Sequence, residues 1–395
     1  MNRIPFSRAY VPNTTISYVQ EVLKSGQLSG DYNFTKKCHK WLENNIKTKK
    51  ALLTTSCTHA LEMSAILTEI QAGDEVIMPS FTFSSTANAF VLRGAKIVFV
   101  DIRPDTMNID ENVIEAAITS KTKAIVVVHY AGIACELDKI MDLANRYNLI
   151  VIEDAAQAIC TEYKGRPLGS IGHFGCLSFH ETKNLTCGEG GALLVNDPKY
   201  ALRAEIIREK GTNRAQFFRG EVDKYTWLDM GSSFLPGDIN SALLWAQLEK
   251  ANEITESRLR SWSHYYDSLR PLENRGAIEL PKIPNHCKHN AHIFFIKTKN
   301  LSERTRLISH LRHRNIMATF HYVPLHSSKA GEKFGEFRGI DKYTTIESEK
   351  LVRLPLYYDM APQELELVVS AVMGFYKSET FLPKSIDTLA TNQRC

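Results

Sequence analysis

The sequence predicts an α/β protein: a mostly parallel sheet with helices on both faces, followed by a smaller C-terminal α+β domain. Three observations carry this. Short apolar runs recur between residues 51 and 152 and alternate with segments whose apolar residues fall at helical spacing. Those runs are apolar at successive positions, as in strands covered on both faces. A length of 395 residues also allows two domains and a large buried core.

The elements follow in order. Ile16, Val19 and Leu23 mark an amphipathic helix that stops near Gly26. Cys38, Trp41, Leu42 and Ile46 mark a second. Ala51–Thr54 is a strand, and Thr55-Ser56-Cys57-Thr58-His59 opens the next helix. Strands follow at Glu75–Pro79 and Ala95–Val100, then a helix capped by Asp110 with Val113, Ile114, Ala117 and Ile118 on one face. Lys123–Val128 is a strand. Leu137, Ile140, Met141 and Ala144 make a clear helix, and Leu149–Ile152 leads a strand to Asp154. Gly175–Phe179 is a strand, and Ala192–Asn196 pairs back against it across a glycine-rich turn. A helix carries Ala201, Ala204 and Ile207, and residues 210–227 read as a polar, aromatic and basic loop. One long helix capped by Asp238 runs through Arg258 and Tyr265. The last elements are strands at 292–297 and 318–322, with helices at 305–311 and 364–376. The expected division is 1–250 for a large domain with an N-terminal helical segment, 251–376 for a small one, and 377–395 for a polar tail.

Composition narrows the function. A net charge of +4, from 48 basic and 44 acidic residues, is too small a bias to argue for nucleic acid. No apolar run reaches membrane-spanning length, and the N-terminus has no signal core. The eight cysteines form no Cys-x-x-Cys pair and suit free thiols in a reducing compartment, so the expected location is cytoplasmic. His286, Cys287, His289 and His292 match no usual zinc spacing, and no metal is expected.

The chemistry concentrates in four stretches. Ser56, Cys57 and Thr58 stand between a strand and a helix start, where amides and hydroxyls meet the positive end of the helix dipole. Alone, this would be an ordinary hydroxyl cap. Phe83 follows a strand end. Asp154 ends a strand, with Gln157 just beyond. Lys183 sits between a strand end and the turn Gly188-Glu189-Gly190-Gly191. Ligands of such sheets collect at strand carboxyl ends. An acid at a strand end and a downstream lysine suit pyridoxal phosphate, which needs an amine for its aldehyde and an acid for its ring nitrogen.

The stretches Thr54–Thr58, Pro79–Phe83, Glu153–Gln157 and Ser178–Lys183 resemble the DegT/DnrJ/StrS sugar aminotransferase family, a branch of the fold type I pyridoxal phosphate transferases, over roughly residues 4–376. Further stretches, Phe179–Asn184, Arg208–Arg214, Phe217–Gly220, Tyr225–Trp227 and Phe320–Tyr322, resemble members that aminate dTDP-4-keto-6-deoxy-D-glucose. The resemblance implies that Lys183 attaches the cofactor and later shuttles the proton. It implies that Asp154 pairs with the ring nitrogen, Gln157 bonds the phenolic oxygen and Phe83 stacks on the ring. Cys57, Thr58 and Ser178 would hold the phosphate. Many members carry an asparagine that reaches the partner subunit's phosphate; here the stretch is Gly231-Ser232-Ser233-Phe234, with the shorter Ser233. The resemblance also implies a homodimer with its active site at the subunit interface. L-glutamate would be the donor and dTDP-4-amino-4,6-dideoxy-D-galactose the product, for bacterial surface polysaccharide such as enterobacterial common antigen. A transaminase for another nucleotide-linked keto sugar and a non-catalytic relative stay open as alternatives. His180, Lys210, Arg214, Arg219, His321 and Tyr322 are the candidate substrate contacts, the three basic residues for a diphosphate.

Overall fold

The computed structural model describes residues 3–379, so the expected tail lies outside the described residues from 380 onward. Two helices open the chain, α1 (Thr15–Ser25) and α2 (Asn33–Ile46). Gly26 ends α1 at φ 69°, the left-handed conformation that glycine adopts without a Cβ penalty. Next come β1 (Lys50–Thr54), α3 (Cys57–Leu67), β2 (Glu75–Pro79), α4 (Ser84–Val91), β3 (Lys96–Val100), β4 (Thr122–Val128), α5 (Leu137–Tyr147) and β5 (Ile150–Asp154). A hairpin, β6 (Glu162–Tyr163) and β7 (Arg166–Pro167), precedes β8 (Phe174–Ser178), β9 (Gly191–Val195) and α6 (Ala201–Arg208).

The large sheet has eight strands in the order β1-β9-β8-β5-β4-β2-β3-β12, where β12 is Gly335–Phe337 at the far edge. Every pairing from β8 to β12 is parallel, while β9 runs antiparallel to both its neighbours. The apolar runs have a simple reason. Successive side chains point to opposite faces, and both faces are covered. Leu53, Ile77, Val98, Ile125 and Val151 join a core with α2 and α5. Leu52, Val76, Ile97, Ala124 and Ile152 join another with α3, α4 and α6.

Beyond α6 come α7 (Arg214–Phe218), α8 (Asp238–Leu248), α9 (Ala251–Asn274), β10 (Cys287–Lys288), β11 (Phe294–Lys297), α10 (Leu301–His313), α11 (Lys329–Phe334), α12 (Thr344–Lys350), β13 (Leu351–Leu354) and α13 (Pro362–Glu379). β11 and β13 pair antiparallel, and their side chains Phe294, Ile296, Val352 and Leu354 share a core with Tyr265, Leu307 and Val368. No helix among the described residues is long and apolar enough to cross a membrane.

Four expectations about elements are corrected. Residues 110–118 hold only a 3-10 turn at Glu115–Ala117. Asp110 instead accepts from the backbone and side chain of Asn112, a local turn that competes with a helix, and Val113 and Ile114 are β-branched. The long helix is two, broken at Glu249–Lys250, and Asp238 does not cap its own helix. Its carboxylate accepts from the Phe34 and Thr35 amides (3.2 and 2.8 Å) and the Thr35 hydroxyl (2.7 Å), so it caps α2. Residues 318–322 are no strand: Thr319 bridges Arg353, and the chain then leaves the sheet toward the cavity described below. Within 210–227, α7 is a short helix whose Arg214 lies over the Phe218 ring.

Candidate active site

The carboxyl ends of β1, β2, β4, β5 and β8 open on one cavity of about 330 Å³. Each strand delivers a different group. β1 delivers Ser56, Cys57 and Thr58. Ser56 caps α3 by accepting from the His59 amide at 3.1 Å, and Thr58 donates to Ser85 at 2.8 Å. The first amides of an α-helix have no partner within it, so this end is suited to an anion. A Cβ on Gly191 would stand 2.3–2.5 Å from the Ser56–Cys57 peptide, so only glycine lets β9 pass behind this loop.

β5 delivers Asp154, which accepts from the Thr86 hydroxyl at 2.7 Å and the Ala156 amide at 3.1 Å. Burial pushes its carboxyl above the ordinary range, against the pull of these donors and of Lys183. A buried carboxylate in this state is a ready partner for a protonated ring nitrogen. Behind it Glu153 is fully buried. It meets His129 Nε2 at 3.0 Å and accepts from the amides of Gly169, Ile171 and Gly172, each at 2.7 Å. Despite burial, which pushes it up, the His129 contact and these amides hold the Glu153 carboxyl below its usual range.

β8 delivers Ser178, His180 and, one turn later, Lys183. Burial lowers the Lys183 amine below the ordinary lysine range. Cys57 and Asp154 oppose the shift, while Arg353 adds to it. An amine lowered in this way is more often neutral, the form that attacks an aldehyde. Gln157 accepts from the Ala131 amide at 2.7 Å and donates to the Tyr322 hydroxyl at 3.0 Å. Phe83 stands 58% exposed at the mouth, its ring 6.1 Å from that of Tyr322. The arrangement offers an anion cradle, an acid, an amide and a lowered amine around one space. This donor set fits pyridoxal phosphate.

The cavity gathers Cys57, Thr58, Phe83, Asp154, Gln157, Ser178, His180, Lys183, His321 and Tyr322. It does not gather the remaining candidates. Arg214 and Arg219 line a separate cavity of about 410 Å³ beside α2, with Asp31, Arg208 and Glu205. Their charges meet acids there: Arg219 pairs with Glu205 (2.8 Å) and Glu221 (2.6 Å), and Arg214 with Glu209 (3.4 Å). Lys210 and Ser233 line a neighbouring hollow with Tyr225. Among the other cavity residues, Phe6, Thr86, His292 and Arg353 had not been placed in the site from the sequence. Arg353 had a signal, a lone charge within the apolar run Leu351–Leu354. Thr86 and Phe6 had none.

A family model described as the DegT/DnrJ/EryC1/StrS aminotransferase family matches residues 10–373. The UDP-4-amino-4-deoxy-L-arabinose–oxoglutarate aminotransferase of Shewanella sediminis is 34% identical over 381 residues, covering 93% of this chain and 97% of that one. The spore coat polysaccharide biosynthesis protein SpsC of Bacillus subtilis is 32% identical over 389 residues, covering 95% and 97%. Spr1654 of Streptococcus pneumoniae, solved in its PLP form, superposes with a TM-score of 0.85 at 25% identity, covering 95% of this chain and 99% of that one.

Proposed function

The chain belongs to the DegT/DnrJ/EryC1/StrS aminotransferase family, sugar aminotransferases of fold type I that use pyridoxal phosphate, and from that premise we propose that it moves the amino group of L-glutamate to dTDP-4-keto-6-deoxy-D-glucose. The product is dTDP-4-amino-4,6-dideoxy-D-galactose, for surface polysaccharide. The observation that carries the transaminase chemistry is Lys183, its amine lowered by burial, facing the buried Asp154 across one cavity.

When bound, pyridoxal phosphate supplies the electron sink for carbon–hydrogen cleavage beside the amine. The chain's residues do the rest. Cys57, Thr58 and Ser178 would hold its phosphate, Asp154 would keep its ring nitrogen protonated, and Phe83 and Gln157 would flank the ring from the cavity wall. Lys183 would hold the cofactor through its amine and would move the proton at the donor's α-carbon.

A carboxylate-bearing donor is supported by Arg353. It is buried in the cavity wall, its Nε has no hydrogen-bond partner, and only phenols offset its burial. The dTDP sugar is supported by the sequence likeness of 179–184, 208–214 and 320–322. A UDP-linked acceptor is the second reading, favoured by the name of the Shewanella sediminis relative. A homodimer is supported by the segment 210–233. Its basic residues and Ser233 lie away from their own chain's cavity, and Tyr225, Trp227, Leu228 and Met230 are exposed beside them.

The test is an absorbance spectrum of the cofactor-loaded protein. Glutamate should bleach the visible band and dTDP-4-keto-6-deoxy-D-glucose should restore it. Restoration only by a UDP-linked sugar would move the acceptor to the second reading. Lys183→Ala should turn over at least about 1,000-fold more slowly; wild-type turnover by that variant would sink the assignment.

A further inference from the structure

Gln157 and Tyr322 line one cavity with Lys183 and Asp154. They stand 165 residues apart in the chain, and their hydrogen bonds fix which of their atoms can still donate. The Ala131 amide donates to Gln157 Oε1 at 2.7 Å, so the oxygen of that side chain faces Ala131 and its nitrogen faces Tyr322. An amide nitrogen only donates. At 3.0 Å it gives a hydrogen to the Tyr322 oxygen. The phenol therefore accepts on that side, and its own hydrogen turns elsewhere. Among the described residues no acceptor takes that hydrogen.

The hydrogen is kept near neutral pH. Burial raises the phenol above its ordinary range; the Arg353 charge opposes this and the Asp154 charge adds to it. The ring is also held in place. It meets the rings of His321 at 5.4 Å, Phe81 at 5.7 Å, Phe83 at 6.1 Å and Tyr130 at 6.2 Å. Tyr130 donates to the His321 carbonyl at 3.1 Å, and Thr319 bridges Arg353, so the segment 319–322 is pinned at two points. The result is a neutral donor on the cavity wall, beside a Gln157 amide whose second hydrogen is also uncommitted among the described residues.

Pyridoxal phosphate carries its phosphate on one flank and its phenolic oxygen on the other. Its ring nitrogen suits Asp154, and its phosphate suits the start of α3. The oxygen on the opposite flank calls for a donor that stays neutral, and the Gln157–Tyr322 pair supplies one within the field of Asp154. The sequence expectation gives that oxygen to Gln157 alone, but half of its amide is spent on Tyr322. We propose that Tyr322 is a cofactor-binding residue: its hydroxyl, oriented by Gln157, donates to the phenolic oxygen of pyridoxal phosphate. The inference rests on the transaminase reading and deepens it. A donor on that oxygen stabilises its negative charge and weakens its hold on the proton of the neighbouring nitrogen, the one joined to Lys183. With the donor present, that proton leaves at a lower pH.

The visible band of the holoenzyme, followed across a pH series, reports that proton. Tyr322→Phe keeps the ring and removes only the hydroxyl, and should move the midpoint up by about one pH unit. A binding measurement separates this contact from packing. Apo-protein is titrated with pyridoxal phosphate and with its 3-deoxy analogue, which lacks the oxygen. Tyr322→Phe should weaken the first about tenfold and leave the second no weaker, because a hydrogen bond that has lost one partner loses nothing more with the other. An unmoved midpoint, or equal weakening of the two ligands, would show that the ring only packs and would overturn the proposal. A wild-type protein that forms no band would instead overturn the transaminase reading beneath it.

Discussion

At the scale of single residues, the site depends on side chains that no motif announces. Thr86 is one. Its hydroxyl donates to Asp154 and contacts Thr82 Oγ1 at 2.8 Å, so its orientation is set by two polar neighbours. Thr86→Val keeps the shape and removes the donor. The Asp154 carboxyl, already raised by burial, would then rise further and pair less well with the ring nitrogen. Titration of the apo-protein with pyridoxal phosphate should show about tenfold weaker binding. An unchanged dissociation constant would mean that this hydroxyl does not tune the acid. Lys183 and Asp154 were legible because a strand end and a glycine turn bracket them. Thr86 was not, because a threonine in a helix has many ordinary reasons to be there.

At the scale of elements, Asp238 shows how a cap can belong to a helix far away in sequence. The residue before α2, Tyr32, has no side-chain oxygen in a capping contact, and the first amides of that helix need an acceptor. Asp238 supplies it across 203 residues, and Thr35 ties the pair to Ser241 at 2.9 Å. Asp238→Ala leaves those amides buried without a partner. Urea unfolding should show a loss of about 2 to 4 kcal/mol, and Asp238→Asn, which keeps one oxygen, a smaller one. Equal stability for wild type and Asp238→Ala would show that this long-range cap contributes nothing to the fold. From sequence, an acid at the start of a helix reads as that helix's own cap, since local pairing is the common case.

At the scale of the whole molecule, buried histidines couple folding to pH. His39 lies on α2 and faces β1, where its Nε2 accepts from the Leu53 amide at 2.9 Å. Burial, and then the Arg208 charge, lower its pKa to about 3. An unfolded histidine takes its proton near about 6.5, so between that value and about 3 the unfolded state binds more protons. Stability should therefore be complete above about pH 6.5 and decline as pH falls through that window, by up to about 1.4 kcal/mol per unit from this residue. His39→Gln should flatten that part of the profile, measured as urea midpoints from about pH 7 to about pH 4. An identical slope in the variant would assign the acid sensitivity elsewhere. His289 and His321, each at about 4, add to the same window.

The sequence by itself determined the α/β class, the strands of the large sheet from 50 to 195 and the placing of Asp154 and Lys183 at or beyond strand ends. Those depend on local pattern: apolar runs flanked by turns, and polar groups at strand ends. Even the weaker short strand at 335–337 completes a sheet begun far earlier, and no local pattern says so, because an edge strand is recruited by its neighbour's open hydrogen bonds. The tertiary structure alone decided which candidates meet. It brought His321 and Tyr322 to Lys183, and it put Arg214 and Arg219 beside α2 among acids. It also brought in Arg353 and His292 from the C-terminal half. Side chains contributed by separated segments converge only when the sheet closes, and sequence spacing holds no record of that distance.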